Sequence, residues 1–127
     1  MKVLALDYGR ARTGVAVSDP TGTIARPVGV VPGTDVAQIV QLIEEHGVER
    51  VVVGLPLTLR GERGEQARET EAFIETLAEA TAVPVVPFDE RFTTDLAEQT
   101  GGAAADEDAR AAAHLLTGYL TWSSAEG

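Results

Sequence analysis

Three strand-like runs, Val3 to Leu6, Thr13 to Ser18 and Gly22 to Val31, follow one another with only turn residues between them. Gly9 marks the first gap and Asp19-Pro20-Thr21-Gly22 the second. Gaps this short cannot hold a crossover helix, so the three runs must pair antiparallel as a meander. Pro27 lacks the amide that a central ladder needs, which puts the third strand at a sheet edge. After Val31 the period changes. Thr34-Asp35 offers an N-cap, Val36, Ile39, Val40 and Ile43 recur at helical spacing, and Gly47 supplies the stop. Val51-Val52-Val53 reads as a short buried strand closed by Gly54 and Pro56, followed by a polar loop from Arg60 to Gly64. A second helix carries Ala67, Thr70, Ile74 and Leu77 along one face, and Val83 to Phe88 forms a fifth strand. A short helix is expected from about Thr94 to Gln99, Gly101-Gly102 breaks it, and a last helix begins near Asp106, its expected N-cap.

The order is βββαβαβ with a terminal helix. Strand-helix-strand crossovers are right-handed almost without exception, so this order gives an α/β fold. Its core is a five-stranded mixed sheet, three antiparallel strands plus two parallel, with helices on both faces. A chain of 127 residues suits one domain, read as residues 1–120 with residues 121–127 as a C-terminal tail. Gly9 to Gly14 has the glycine spacing of a phosphate-binding P-loop. Val15-Ala16 stands where that motif needs Lys-Ser/Thr, and a strand follows instead of a helix, so the motif is rejected.

No apolar stretch reaches the ~18–20 residues of a membrane span, and Asp7 ends the apolar N-terminus too early for a signal peptide. A cytoplasmic protein with no membrane partner is expected. The absence of Cys and the wide separation of His46 from His114 leave oxygen donors to hold any metal. The net charge of −10 argues against a non-specific polyanion binder. Placement qualifies this, because Arg10, Arg12, Arg60, Arg63 and Arg91 lie in loop-like stretches where they could form a local phosphate-facing patch. The alternative for each is solvation or pairing with a nearby Glu. The acidic run from Glu62 to Glu79 reads as a solvated helix face. His46 reads as a helix-terminal residue, His114 as surface, and Tyr119 and Trp122 as packing or tail residues.

Three places in the chain offer carboxylates with chemical promise. Asp7 ends the first strand, where it either reaches a ligand above the sheet edge or caps the Tyr8-Gly9 turn. Asp89-Glu90 ends the fifth strand, and alternation sends the two side chains to opposite faces, so one of them can point at the same place. Asp108 shares a helix face with Ala112, Leu115, Leu116 and Tyr119. That face is the buried one, and a carboxylate aimed there needs a partner. Converging acids are costly unless cations neutralise them. Mg²⁺ or Mn²⁺ suits such oxygen donors, and two ions ~3.5–4 Å apart are the arrangement that hydrolyses phosphodiesters.

Four stretches resemble the YqgF family, also called RuvX, of RNase H-like nucleases. They are Leu6 to Asp19, Val53-Gly54-Leu55-Pro56-Leu57 with Gly61, Asp89 to Thr94, and Asp108 to Ala112 with Tyr119, in family order and across nearly the whole chain. The resemblance implies an RNase H fold with catalytic, metal-binding acids at Asp7, Glu90 and Asp108. It also implies a role in maturing the 5′ end of pre-16S rRNA or, as the alternative, in resolving Holliday junctions. Substrate contacts are expected from the five arginines named above, with Thr93 and Thr94 either orienting the carboxylates or starting a helix. The stretch before the last acid is often basic in the family, whereas here Gly102 to Glu107 carries only acidic charge, which weakens any phosphate grip from that side. Phe92 replaces the usual Leu.

The expected partner is thus nucleic acid, precursor rRNA or branched DNA. A homodimer would suit paired cuts and a monomer would suffice for trimming one end. Two other classes compete. A catalytically silent RNase H-fold interaction module is opposed by the three intact acids. A nucleotide-binding phosphotransferase module, suggested by Asp7-Tyr8-Gly9 before a hairpin, would need a second such domain to close around its nucleotide.

Overall fold

The computed structural model describes residues 1–33, 35–56, 64–89 and 104–126. Its elements are β1 (Val3–Asp7), β2 (Arg12–Ser18), β3 (Ala25–Pro32), α1 (Val36–His46), β4 (Arg50–Leu55), α2 (Glu65–Ala80), β5 (Val85–Asp89) and α3 (Ala104–Glu126). The five strands form one sheet in the order β3-β2-β1-β4-β5. β1 pairs antiparallel with β2 and β2 with β3, while β4 lies parallel to both β1 and β5. The expected mixed sheet is therefore present, with Pro27 on an edge strand where its missing amide is tolerated.

Strand alternation divides the core in two. Leu4, Leu6, Val15, Val17, Val51 and Val53 face one way and pack with Ile39 and Ile43 of α1 and Phe73 and Leu77 of α2. Val3, Ala5, Ala16, Val52 and Phe88 face the other way and pack with Ala112, Leu115, Leu116, Tyr119 and Leu120 of α3. The α3 face of the sheet centre is built from small residues, Ala5 and Ala16 both fully buried, so the helix backbone can come close. Phe88 and Tyr119 meet edge to face at 5.5 Å, a pairing worth ~0.5–1.5 kcal/mol beyond the area buried.

Local chemistry sets the element ends. The Asp35 carboxylate accepts from the Gln38 amide at 3.1 Å as the α1 N-cap, and Gly47 ends the helix at φ +61°. β3 begins at Ala25, three residues later than expected. The Asp19 carboxylate accepts from the amides of Thr23 and Ile24 at 2.7 and 2.8 Å and draws those residues into the turn. β5 likewise starts at Val85, because the Thr81 hydroxyl takes the Val83 amide.

α3 differs most from its sequence reading. It begins at Ala104, so Asp106 falls in the first turn and is not the N-cap; Ala104 and Ala105 are strong helix formers that carry the helix N-terminally. It also continues to Glu126, through residues read from sequence as a tail. Trp122 packs at 5.7 Å from Phe88 and 6.0 Å from Tyr119, and the Thr121 hydroxyl bonds back to the Thr117 carbonyl at 2.9 Å. The short helix expected from Thr94 to Gln99 and its Gly101-Gly102 break lie outside the described residues. Among the described residues, no helix is long and apolar enough to cross a membrane.

Candidate active site

Val3 and Ala5 belong to the α3-facing core, so alternation puts Asp7 on that face at the C-terminal end of the central strand. Its partner across the antiparallel ladder is Gly14 of β2. A Cβ built on Gly14 would stand 2.0 Å from the carbonyl oxygen of Asp108 and 2.6 Å from its carbonyl carbon. Only glycine admits so close a backbone. Two acids separated by a hundred residues of chain are thus held at one end of the central strands, Asp7 paired to Gly14 and Asp108 seated on it.

The partner that the Asp108 carboxylate requires is Arg12, which donates from Nε to Oδ2 at 2.5 Å. Arg12 opens β2 two residues before Gly14, hence on the same α3 face. Both side chains keep solvent contact, at 45% exposure for Arg12 and 32% for Asp108. The other residues of the Asp108 stripe, Ala112, Leu115, Leu116 and Tyr119, are buried as their spacing implied.

Arg10 turns the other way. It sits in the tight turn between β1 and β2, where a Cβ on Gly9 would stand 2.4 Å from the Arg12 carbonyl oxygen. Its guanidinium grips Glu69 of α2 through two nitrogens, with Nε at 2.8 Å from Oε2, and lies 3.9 Å from Glu65. The hydrogen bond from Arg10 holds the Glu69 carboxyl below the usual carboxylate range, and Glu69 in turn raises the Arg10 guanidinium. The acidic face of α2 is therefore not wholly solvated, since Glu69 and Glu65 serve this contact. A cavity of about 480 Å³ opens here, lined by Tyr8, Gly9, Arg10, Glu65, Gln66 and Glu69, on the opposite side of the sheet from α3.

At the end of β5, Asp89 shares the alternation of Val85, which packs with the α1/α2 core, whereas Val86 and Phe88 pack on α3. Glu90, Arg60, Arg63, Arg91, Thr93 and Thr94 lie outside the described residues. Among the described residues no group of three His, Cys, Asp or Glu side chains could hold a metal. The pair present, Asp7 and Asp108, is a set of hard oxygen donors. It fits Mg²⁺ or Mn²⁺ and leaves a third donor to come from elsewhere.

Sequence reasoning missed two contributors. Gly14 entered it through glycine spacing and as one member of the Leu6 to Asp19 stretch, with no role assigned, and that role depends on what packs above it. Glu69 was one acid among many, distinguishable only by falling within reach of Arg10.

The family model described as "RuvX: Holliday junction resolvase" matches residues 1–122. A Chloroflexus aurantiacus protein named "Putative pre-16S rRNA nuclease" is 52% identical over 101 residues, covering 76% of this chain and 66% of that protein, just under two thirds of its length. A protein of the same name from Anaeromyxobacter is 45% identical over 132 residues, covering 94% and 96%. Among solved structures, Thermus thermophilus RuvC in complex with a Holliday junction substrate superposes with a TM-score of 0.63 at 17% identity, over 98% of this chain and 96% of that one. At that identity the likeness concerns the fold, the RNase H-like one that the motifs implied. With a family model spanning nearly its whole length and relatives near half identity, the chain belongs to the RuvX family.

Proposed function

We propose that this protein is a divalent-metal-dependent nuclease that hydrolyses phosphodiester bonds in precursor rRNA, at the 5′ end of pre-16S rRNA. The observation that carries this reading is the seating of Asp108 on Gly14, directly across the ladder from Asp7. It joins two acids of the family motif at one end of the central strands, and the names of the relatives indicate the substrate. Glu90 is proposed as the third acid, since it has the sequence parity of Val86 and Phe88, the residues that serve the α3 face. Asp7, Glu90 and Asp108 would hold Mg²⁺ or Mn²⁺, which in such sites activates the attacking water and stabilises the leaving oxygen.

The protein's own groups do the rest. Asp7 and Asp108 supply a fixed negative pocket on rigid elements, a strand end and a helix, so little reorganisation is needed. Arg12, ion-paired with Asp108, is proposed as a cation for a substrate phosphate, with Arg91, Arg60 and Arg63 proposed to extend that grip and Thr93 and Thr94 to orient the acids. Arg10 is proposed to contact substrate from the α2 side, its charge shared with Glu69. The cytoplasm is the location proposed with that substrate.

A junction-cleaving DNA nuclease is the second reading, favoured by the description of the family model. Purified protein and an Asp7→Asn variant, each with Mg²⁺ or Mn²⁺, are incubated with labelled pre-16S leader RNA and with a four-way DNA junction. Cleavage of the leader alone, lost in the variant, is expected. Cleavage of the junction alone would move the protein to the second reading, and cleavage undiminished in the variant would remove Asp7 from the site.

A further inference from the structure

We propose that Arg12 is the resident counter-cation of Asp108, displaced when a divalent ion binds and thereby released to hold a substrate phosphate; this rests on the metal-dependent reading above. The starting point is the 2.5 Å contact between Arg12 Nε and Asp108 Oδ2, which joins the first residue of β2 to the beginning of α3 across 96 positions of sequence. A carboxylate oxygen committed to a guanidinium N–H at that distance is a poor ligand. An approaching Mg²⁺ or Mn²⁺ would meet a like charge at the atom it needs. Both cannot use Oδ2 fully, and an ion taken on Oδ1 would still stand beside the guanidinium charge, so the resident pair opposes metal binding.

Arg12 is the one able to yield. Asp108 is fixed by its backbone, whose carbonyl is wedged against Gly14. Arg12 has a long side chain, 45% exposed, at the start of a strand on the sheet rim, so it can swing outward without breaking the core. Once outward, it is an unpaired planar fork at the mouth of the acid pair, and the suitable anion there is a phosphate of the bound strand. The exchange also gives a chain of net charge −10 a local cation with which to recruit a polyanion once a metal is loaded. Because linkage is reciprocal, nucleic acid that captures Arg12 must tighten metal binding by the factor with which metal tightens nucleic acid.

Calorimetric titration of Mn²⁺ without nucleic acid tests the exchange in wild type, Arg12→Gln, Asp108→Asn and the double variant, with urea midpoints in EDTA confirming that each is folded. Arg12→Gln is expected to bind Mn²⁺ about 5-fold more tightly than wild type, the low end of typical coupling because the pair is partly exposed. The gain should vanish on the Asp108→Asn background, which separates displacement at Asp108 from a general effect of removing one positive charge. Equal or weaker binding by Arg12→Gln, or a gain that survives in the double variant, overturns the exchange while leaving the metal site in place. Failure of wild type and Arg12→Gln alike to bind Mn²⁺ overturns the metal-dependent reading and the exchange with it. Should Arg12→Gln not fold, Arg12→Lys, which loses the planar fork, is expected to show a smaller gain of the same sign, and no gain overturns the exchange. A second readout is the salt dependence of binding to a cleavage-resistant phosphorothioate leader RNA. With Mn²⁺ the wild-type log-log slope should exceed that of Arg12→Gln by about 0.7, one phosphate contact on a single strand, and in EDTA the two slopes should coincide. Slopes that differ equally in both conditions would show that Arg12 holds phosphate without any release from Asp108.

Discussion

The carbonyl oxygen of Asp108 lies 2.0 Å from where a Cβ on Gly14 would stand, so the start of α3 rests directly on the backbone of β2. The atom in the way is backbone and cannot rotate aside. Gly14→Ala must therefore lift or shift the first described turns of α3, and with them one of the proposed catalytic acids. The expected loss is ~1–3 kcal/mol, typical of overpacking, measured by urea unfolding, together with a fall in nuclease turnover. Gly64→Ser is the control, because a Cβ there meets open space and the hydroxyl can cap α2, which has no side-chain cap. A fully stable and active Gly14→Ala would show that α3 is not held against β2 as described.

Metal should stabilise the native state by linkage, since it binds the folded acid pair and hardly the unfolded chain. Saturating Mn²⁺ is expected to raise the melting temperature of wild type, to raise that of Asp7→Asn less, and to leave Asp7→Asn/Asp108→Asn unmoved. Differential scanning fluorimetry measures all three. Equal shifts in wild type and the double variant would place the metal elsewhere.

The two acids at the end of β5 should behave differently. Asp89 has the alternation of Val85, on the side of α1 and α2. Asp89→Asn is expected to leave turnover within a few-fold, whereas Glu90→Gln should fold normally and lose at least ~10²-fold, as for a group acting in the transition state. Rates at saturating Mn²⁺ decide between them, and a dead Asp89→Asn beside an active Glu90→Gln would reverse the assignment.

Asp19 makes a pH-dependent contribution to the β2–β3 turn. Hydrogen bonds from the Ile24 amide first, then from the Thr21 hydroxyl and the Thr23 amide, hold its carboxyl well below the usual carboxylate range. A carboxylate depressed on folding contributes stability fully above its unfolded pKa and loses it as pH falls through its folded one. Asp19→Ala should thus lower the urea midpoint at pH 7, and the gap to wild type should begin to narrow only below about pH 4. A gap independent of pH between 7 and 2.5 would mean that the charge of Asp19 is not what holds the turn.

Sequence alone decided the sheet. Gaps too short for a crossover forced the β1–β2–β3 meander, Pro27 sent β3 to the edge, and the change to helical spacing after Asp35 introduced the crossovers that make β4 and β5 parallel. It also decided the buried face of α3, because Asp108, Ala112, Leu115, Leu116 and Tyr119 recur with the helical period. These are local properties, set by turn chemistry and by residues a few positions apart. The contacts that define the site are not local. Arg12 finds Asp108 across 96 positions and Arg10 finds Glu69 across 59, and two arginines two positions apart leave on opposite sides of the sheet. A long flexible cation can satisfy any nearby carboxylate, so its partner is chosen only when helix packing has placed the acids. That packing depends in turn on a glycine whose importance is invisible until a helix backbone lies upon it. Tertiary structure alone could therefore decide that Arg12 guards Asp108, because the pairing follows from how closely α3 approaches β2.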